Sequence, residues 1–300
     1  MALQTPARAL RKVALLCAAL PCAQSLPAQL SANAPQAPQA NPGRPTVSTP
    51  ATLTPVGYLQ FENGGLYAAS SPNASASFGI NQVTKLAVVS RLQLLLVSQP
   101  FGYGSGTSGG ELSGSHPGDI LTGAQAVALP GRGYRPTVSL SYLGRVYQGS
   151  APDVDIGSAS QTALLLVSDD LAGLHFDINA IVAEQPGDRI RRAQFGQTLS
   201  VSRALGRYTI AGELWHFTQP LTGGNCAGSL WALSYNLRPN LVLDTGLNRG
   251  LTSTSTQWEG FAGFTYLLPH RLWKSRDSPS HTPARQPFIH STLRTPDPAI

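Results

Sequence analysis

Residues Thr162 to Glu184 read TALLLVSDDLAGLHFDINAIVAE, and this stretch decides the fold class. Between 174 and 182 the apolar side chains occupy every second position, which is the period of a β-strand with one apolar face. Turn-forming residues at 169–173 follow the apolar run 163–167, so the whole stretch predicts an antiparallel hairpin. Between the apolar positions of its second strand lie His175, Asp177 and Asn179.

The same alternation continues along most of the chain. Many segments approach the 9 to 11 residues that cross a membrane at a tilt of about 45° and exceed the usual strand of about 5 or 6. Twelve strands are predicted at 57–67, 78–89, 92–99, 118–128, 137–147, 161–168, 174–184, 192–202, 208–218, 227–235, 241–250 and 258–268.

The connections between these strands alternate between long and short. A long connection at 68–77 is followed by the pair Ser90 and Arg91, and a long one at 148–160 by the tight turn at 169–173. Outer-membrane barrels have long extracellular loops and short periplasmic turns, whereas a sandwich has no reason for the alternation. Aromatic residues near strand ends, including Trp215 and Phe217, predict the interfacial girdles of such a barrel. We therefore predict an all-β, antiparallel transmembrane barrel of about 12 strands.

Composition supports this class. Charged residues are 12% of the chain, against about 25% in soluble domains. Residues 1–25 predict a signal peptide, with basic residues before a short apolar run, and cleavage after Ser25 or after Ala28 fits equally. Residues 26–56 predict a disordered Pro/Ala/Gln-rich periplasmic segment, too small for a folded plug domain, and 269–300 a disordered polar basic tail. The barrel is predicted to span 57–268 and to reside in the bacterial outer membrane.

The net charge of +6 does not indicate a nucleic-acid partner. Its excess lies in the leader and the tail, while residues 26–269 carry equal numbers of basic and acidic side chains. No nucleotide-binding GxxxxGK[ST] loop occurs. The loop 101–114 matches GxGxxG and GxSxG, but no predicted helix follows, so both matches are attributed to its low complexity. We predict no catalytic residue, no metal and no cofactor.

Polar side chains that alternate with apolar neighbours are predicted to line the lumen. Their mixed signs indicate ion pairs and hydrogen bonds across the lumen rather than one strongly ion-selective ring. A lining that only solvates the interior and one that binds solute are both consistent with this set. The candidates are Gln60, Glu62, Asn81, Lys85, Gln93, His175, Asp177, Asn179, Gln194, Glu213, Asp244 and Asn248.

Two short segments point to a family. RPTVSTPATLTPVGYLQFENG, residues 44–64, resembles the start of the barrel in the MetA-pathway phenol-degradation family of outer-membrane transporters, through Arg44-Pro45, Pro55, Gly57, Gln60, Glu62 and Gly64. RPNLVLDTGLNRGLTSTS, residues 238–255, is similar to the penultimate strand of that family. The resemblance covers roughly residues 44–270 and implies a barrel with a transport role for aromatic or other hydrophobic compounds, without catalytic residues. Gly43, where an acidic residue is expected, and the tail beyond 268 depart from the family pattern.

The function predicted is a channel or transporter for passive uptake of small solutes, aromatic or hydrophobic ones among them. Its expected partners are outer-membrane lipid, the solute and the barrel-assembly machinery, with the oligomeric state open. Two alternatives remain at this stage. One is a secreted soluble β-domain for adhesion or carbohydrate binding, with its apolar faces buried. The other is an outer-membrane barrel enzyme that acts on lipids, for which Ser108 and His175 would be the first candidates.

Overall fold

The computed structural model describes residues 38–69, 75–105, 114–151, 159–187, 189–221 and 223–273. The predicted signal peptide, most of the predicted tail and Ser108 lie outside these ranges. The described strands are β1 (Leu59–Ala69), β2 (Ala76–Val89), β3 (Leu92–Ser105), β4 (Gly114–His116), β5 (Ile120–Leu129), β6 (Thr137–Tyr147), β7 (Gln161–Leu171), β8 (Leu174–Pro186), β9 (Arg191–Leu205), β10 (Tyr208–Gln219), β11 (Gly224–Arg238), β12 (Leu241–Gly250) and β13 (Trp258–Leu267). Among the described residues, no helix has the length and hydropathy to cross a membrane.

Twelve of these strands form a closed antiparallel barrel, which confirms the predicted fold class. Each strand pairs with its neighbours along the chain, and the pairing of β1 with β13 closes the ring. In that closing pair Gln60 lies opposite Leu267 and Ala69 opposite Trp258, so the two strands match along their full length. The short β4 pairs with β3 alone and stands beside the ring. Closure leaves the barrel strands without an unpaired edge.

Turns and loops separate to opposite ends of the barrel. Two-residue connections join β2 to β3, β7 to β8, β9 to β10 and β11 to β12, and they share one end, here called the turn end. Ala172 (φ 54°) and Gly173 (φ 78°) form the turn between β7 and β8, the pair of positive φ values that tight hairpins favour. Asp169 and Asp170, predicted as turn residues, belong to β7 instead. The turn end also has one longer connection, 130–136 between β5 and β6. The opposite, loop end has no two-residue connection between the described barrel strands and carries long ones such as 148–160, so it is the extracellular end by the rule of outer-membrane barrels.

The barrel is apolar outside and mostly polar inside. On β8 the side chains of Ile178 and Val182 are 49% and 48% exposed, whereas Asp177 and Asn179 are 9% and 1% exposed. A face of large apolar side chains turned outward around a ring is stable against lipid and not against water. The alternative of a soluble β-domain with buried apolar faces is therefore wrong.

Residues 38–56, here called the inner segment, correct one prediction. They were expected to form a disordered periplasmic segment, but they lie against the inward side chains of most barrel strands. Ser48 and Ala51 are fully buried. The segment forms no helix or strand of its own, so its backbone N–H and C=O groups bond to lumen side chains instead. A segment too short for its own core can thus be ordered by a core that the barrel supplies.

Two further predictions need correction. The flexible loop predicted at 101–114 is in part a hairpin, since β3 extends to Ser105 and pairs with β4 from Gly114. In this stretch Phe101 and Tyr103 alternate with glycines, which is itself a strand pattern. The predicted disordered tail begins with ordered contacts: Leu272 donates its N–H to the carbonyl of Gly57, and Arg271 Nε donates to that of Val56.

Candidate functional site

Two side-chain amides hold the inner segment by pairing with its backbone. Gln60 of β1 accepts the N–H of Asn41 at 2.8 Å and donates to the carbonyl of the same residue at 2.7 Å. Asn179 of β8 does the same with Thr49, accepting at 2.6 Å and donating at 2.9 Å. Each amide therefore replaces the strand partner that an extended chain would otherwise need. Both amides are buried and face the lumen.

Buried carboxylates hold the middle of the inner segment. Glu213 of β10 accepts the backbone N–H of Val47 at 2.7 Å and that of Ser48 at 2.6 Å. Glu62 of β1 accepts the N–H of Gly43 at 3.0 Å and pairs with Lys85 of β2 at 2.5 Å. Hydrogen bonds to a charged acceptor contribute about 1.5–3 kcal/mol each, more than neutral ones. These two carboxylates are thus strong anchors of the segment.

A pair of glycines makes room for Arg44. Gly64 and Gly263 lie opposite each other on β1 and β13, and a Cβ on Gly64 would lie only 2.1 Å from the Arg44 guanidinium. The guanidinium therefore rests flat against bare backbone, and its Nη2 pairs with Asp244 of β12 at 3.2 Å. Arg44, Gln60, Glu62 and Gly64 all belong to the motif that carried the family resemblance. In the structure, these four residues all contribute to holding the inner segment inside the barrel.

The last part of the inner segment is held by neutral polar side chains. Ala51 donates its N–H to Ser168 at 2.7 Å and accepts the hydroxyl of Ser139 at 2.5 Å. Gln93 of β3 accepts both the N–H and the hydroxyl of Thr54, at 2.9 and 2.8 Å. Together with the amide and carboxylate anchors, these bonds attach the segment to strands all around the ring.

The remaining predicted lumen residues have other partners. Asn248 accepts the indole N–H of Trp215 at 2.9 Å, and Gln194 donates to the carbonyl of Thr218. Asn81 is half-buried on β2, opposite Gly64. The ring nitrogens of His175 lie 2.8 Å from Asp170 and 3.2 Å from Asp177, at the turn end. Of the twelve candidates, six bond directly to the inner segment or its side chains: Gln60, Glu62, Gln93, Asn179, Glu213 and Asp244.

An apolar cluster inside the barrel was missed by sequence reasoning. It consists of Ile181, Trp215, Phe217 and Cys226, and Val47 of the inner segment packs against it. Trp215 and Phe217, predicted as girdle residues, are each only 4% exposed. The sequence did contain a signal for this inward position. Residues two apart on a strand share a face, and Glu213, two positions before Trp215, was predicted to point inward. Each ring covers a glycine directly across from it on the next strand, Gly228 and Gly196.

The lumen is therefore divided along its length. The apolar cluster lies near the loop ends of β8, β10 and β11, whereas Glu62, Lys85 and Asp244 lie toward the turn end. The inner segment runs between the two zones, with Val47 on the cluster and Gly43 on Glu62. The cluster is covered in this state, since Trp215 and Phe217 are each 4% exposed and Val47 packs against it, so a solute would reach its rings only after the inner segment shifts.

The histidine considered for the barrel-enzyme alternative does not lie at the outer rim. His175 lies at the turn end, and His216 points outward and bonds to Gln197 at 2.9 Å. Within the described ranges, no three His, Cys, Asp or Glu side chains are grouped to hold a metal.

The fold matches a known channel. A COG4313 outer membrane channel from Pseudomonas putida F1 superimposes with a TM-score of 0.55 at 14% identity, covering 77% of this chain and 100% of that one. The NalP autotransporter translocator domain from Neisseria meningitidis (TM-score 0.39, 9% identity, 71% of this chain, 89% of that one) and LpxR from Salmonella typhimurium (0.38, 9%, 69%, 99%) fit too loosely to bear on this chain. No family model and no curated protein sequence matches the chain. The chain is thus an outer-membrane-type β-barrel with the fold of a channel, and at the level of fold this agrees with the predicted resemblance.

Proposed function

We propose that the protein is an outer-membrane channel for passive uptake of small hydrophobic or aromatic solutes, and that the inner segment must shift for a solute to pass. The observation that supports this most is the apolar cluster inside the barrel, with Trp215 and Phe217 turned away from lipid. A lumen that served only water-soluble ions would gain nothing from burying indole and phenyl rings there, since polar linings conduct such solutes. Aromatic faces attract other aromatic molecules by stacking or edge contacts.

The inner segment gives the channel a closed state. It attaches to strands around the ring through neutral hydrogen bonds and through three carboxylates, Glu62, Glu213 and Asp244. Each bond is modest on its own, at about 0.5–3 kcal/mol depending on charge. Partial release of the segment is therefore a smaller change than unfolding a strand, whose whole ladder would have to break. Passage by such release fits a solute driven only by its gradient.

The test links the inner segment covalently to a strand of the barrel through a disulfide. Ser48 and Thr198 have hydroxyl oxygens 2.7 Å apart, so a Ser48→Cys/Thr198→Cys pair can form a disulfide once the three native cysteines are replaced by serine. Cells producing this variant are compared for uptake of a neutral aromatic dye that fluoresces in lipid, before and after a reductant. We expect uptake above that of cells without the protein, its loss in the oxidised variant and its return on reduction.

The two single-cysteine variants serve as controls, since they carry the same substitutions without the bridge. Uptake equal to that of cells lacking the protein, with the barrel intact in the membrane, would overturn the channel. Equal uptake by the oxidised and reduced double variants would overturn the moving segment alone. Swelling of liposomes in a sugar at a rate far above dye entry would point to a hydrophilic pore instead.

A further inference from the structure

The outward surface of the barrel carries a groove that the proposed function does not use. It has a volume of about 620 Å³ and crosses β5 to β9, from positions nearer the turn end on β5 and β6 to positions nearer the loop end on β8 and β9. Tyr142 and Phe195 stand at its sides. Its floor is made of small side chains on four positions of three strands: Ala124, Ala126, Ala163 and Ala180.

The neighbouring strands β10 to β12 have large outward side chains at comparable positions. Leu214, Trp231 and Leu247, on β10 to β12, project into the lipid with more than half of each side chain exposed. On an ordinary lipid-facing strand, large apolar side chains fill the space between acyl chains. The groove is therefore a local recess that a chain-like apolar molecule can enter.

Polar groups stand at the loop-end mouth of the groove. A second hollow of about 300 Å³ adjoins it and is lined by Arg191, Arg192 and Glu184. Arg191 pairs with Glu184 at 3.0 Å yet keeps 67% of its side chain exposed, and Arg189 is exposed in the same loop. Among the described side chains that line this mouth, two guanidinium groups, Arg191 and Arg192, thus accompany one carboxylate, Glu184, which leaves this lining with a net positive charge.

We propose that the groove and its mouth bind a phosphorylated glycolipid of the outer leaflet. One acyl chain lies on the alanine floor, and a phosphate is held by Arg191 and Arg192, whose planar guanidinium groups match phosphate oxygens. The match is one of both shape and charge, because the apolar recess ends at a cationic mouth on its loop-end side. This site is independent of solute passage through the lumen.

A second copy of the chain fits the same groove less well. Two barrels in one membrane share their orientation, so a two-fold contact along the groove would bring both cationic mouths to the same height. Like charges at that contact oppose association. The glycolipid brings the opposite charge and is therefore the occupant that the observations favour.

The test measures lipid retention by the full chain in detergent. Native mass spectrometry counts bound bis-phosphorylated, hexa-acylated lipid A, with dephosphorylated lipid A and phosphatidylglycerol as comparison ligands. We expect Arg191→Ala and Ala163→Leu each to weaken lipid A binding about tenfold or more, as loss of one charge-assisted contact or of the recess implies. Glu184→Gln is expected to strengthen binding, because it removes the carboxylate that competes for Arg191.

Matched controls lie on the far side of the barrel. Arg249→Ala removes another loop-end arginine, one stacked over Trp258, and Ala262→Leu enlarges another exposed outward alanine; both are expected to bind lipid A like the unaltered chain. Heat-modifiable gel mobility verifies that each barrel is folded. Equal binding of phosphorylated and dephosphorylated lipid A would overturn the proposal, as would unchanged binding by Arg191→Ala and Ala163→Leu. Loss of a dimer instead of lipid in these variants would overturn it in favour of a contact between copies.

Discussion

Ser48 donates both its backbone N–H and its hydroxyl to the same carboxylate oxygen of Glu213, over 2.6 and 2.5 Å. The other carboxylate oxygen accepts the N–H of Val47 at 2.7 Å. One side chain on β10 therefore holds three donors of the inner segment. Gln93 accepts two donors of Thr54 and so holds fewer. The retention of the inner segment is therefore tested at Glu213.

Replacing Glu213 should release the inner segment. Glu213→Ala leaves two backbone N–H groups without their acceptor, and each lost bond to a charged group is worth about 1.5–3 kcal/mol. The measurement is the labelling rate of Ala51→Cys, a fully buried position, by a water-soluble maleimide in a background without native cysteines. We expect labelling to rise at least about tenfold to a hundredfold, which is what the loss of a single such bond implies at about 1.4 kcal/mol per factor of ten.

Glu184→Gln is the matched control for that experiment. Glu184 is also a strand glutamate, but it faces outward and pairs with Arg191. Its replacement should leave the labelling of residue 51 unchanged. Unaltered protection of residue 51 in Glu213→Ala would show that the segment is held without this carboxylate.

Adjacent glycines of β1 should respond in different ways to the same substitution. A Cβ at Gly64 would lie 2.1 Å from the Arg44 guanidinium, whereas one at Gly65 would meet only a phenyl carbon of Phe78 at 3.3 Å. Gly64→Ala must therefore displace Arg44 and break its pair with Asp244, while Gly65→Ala needs a small shift of one ring. We expect faster labelling of residue 51 in Gly64→Ala and little change in Gly65→Ala. Equal labelling of the two variants would argue that the space at Gly64 is not needed to accommodate Arg44.

The fold could be predicted from the sequence because its signals are local. Alternation along a strand and the length of the next connection are both read within about ten residues, as the hairpin at 162–184 shows. The inner segment could not be predicted in this way. Its partners lie far along the chain, with Arg44 and Asp244 separated by 200 residues, and its own sequence has no period. A side-chain amide that replaces a strand partner leaves no pattern in the segment that it binds.

The candidate site was predicted in part for the same reason. Polar residues such as Gln60 and Asn179 stand out against apolar neighbours, so the polar half of the lumen could be proposed from alternation alone. Trp215 and Phe217 could not be separated from girdle residues by type, because aromatics serve both places. Two cues mark them as inward. They lie two and four positions after Glu213 on the same strand, and each has a glycine across from it on the neighbouring strand. That second cue requires the register of neighbouring strands, which the structure supplies.

The lipid-facing belt should tolerate charge according to depth. Ile178 lies on β8 opposite Leu199, at the middle of β9, while Val146 is exposed near the loop end of β6. An arginine at the bilayer midplane costs about 2–4 kcal/mol, against about 0–1 near the interface. Ile178→Arg should therefore lower the unfolding free energy in lipid vesicles by several times more than Val146→Arg. Denaturant titration followed by tryptophan fluorescence measures the unfolding free energy of both variants. Equal losses would show that Ile178 does not lie nearer the bilayer midplane than Val146.

Trp215 should set the affinity for aromatic solutes. Its ring belongs to the apolar cluster inside the barrel and donates to Asn248 at 2.9 Å. Trp215→Leu keeps apolar volume but removes the aromatic face, which is worth about 0.5–1.5 kcal/mol in aromatic pairs. We expect the dye concentration for half-maximal uptake to rise about twofold to tenfold, the range these energies imply. Trp215→Phe, which keeps an aromatic face without the hydrogen bond, should restore most of the affinity.

The outward Trp231 supplies the control for that series. It lies on the neighbouring strand β11, opposite Gly212, and is 58% exposed to the surroundings of the barrel. Trp231→Leu changes the same residue type on the other face, so it should leave uptake unchanged. If both leucine variants lowered uptake equally, the effect would be one of barrel stability. If only the Trp231 variant lowered it, the solute would reach the membrane along the outer surface rather than through the lumen.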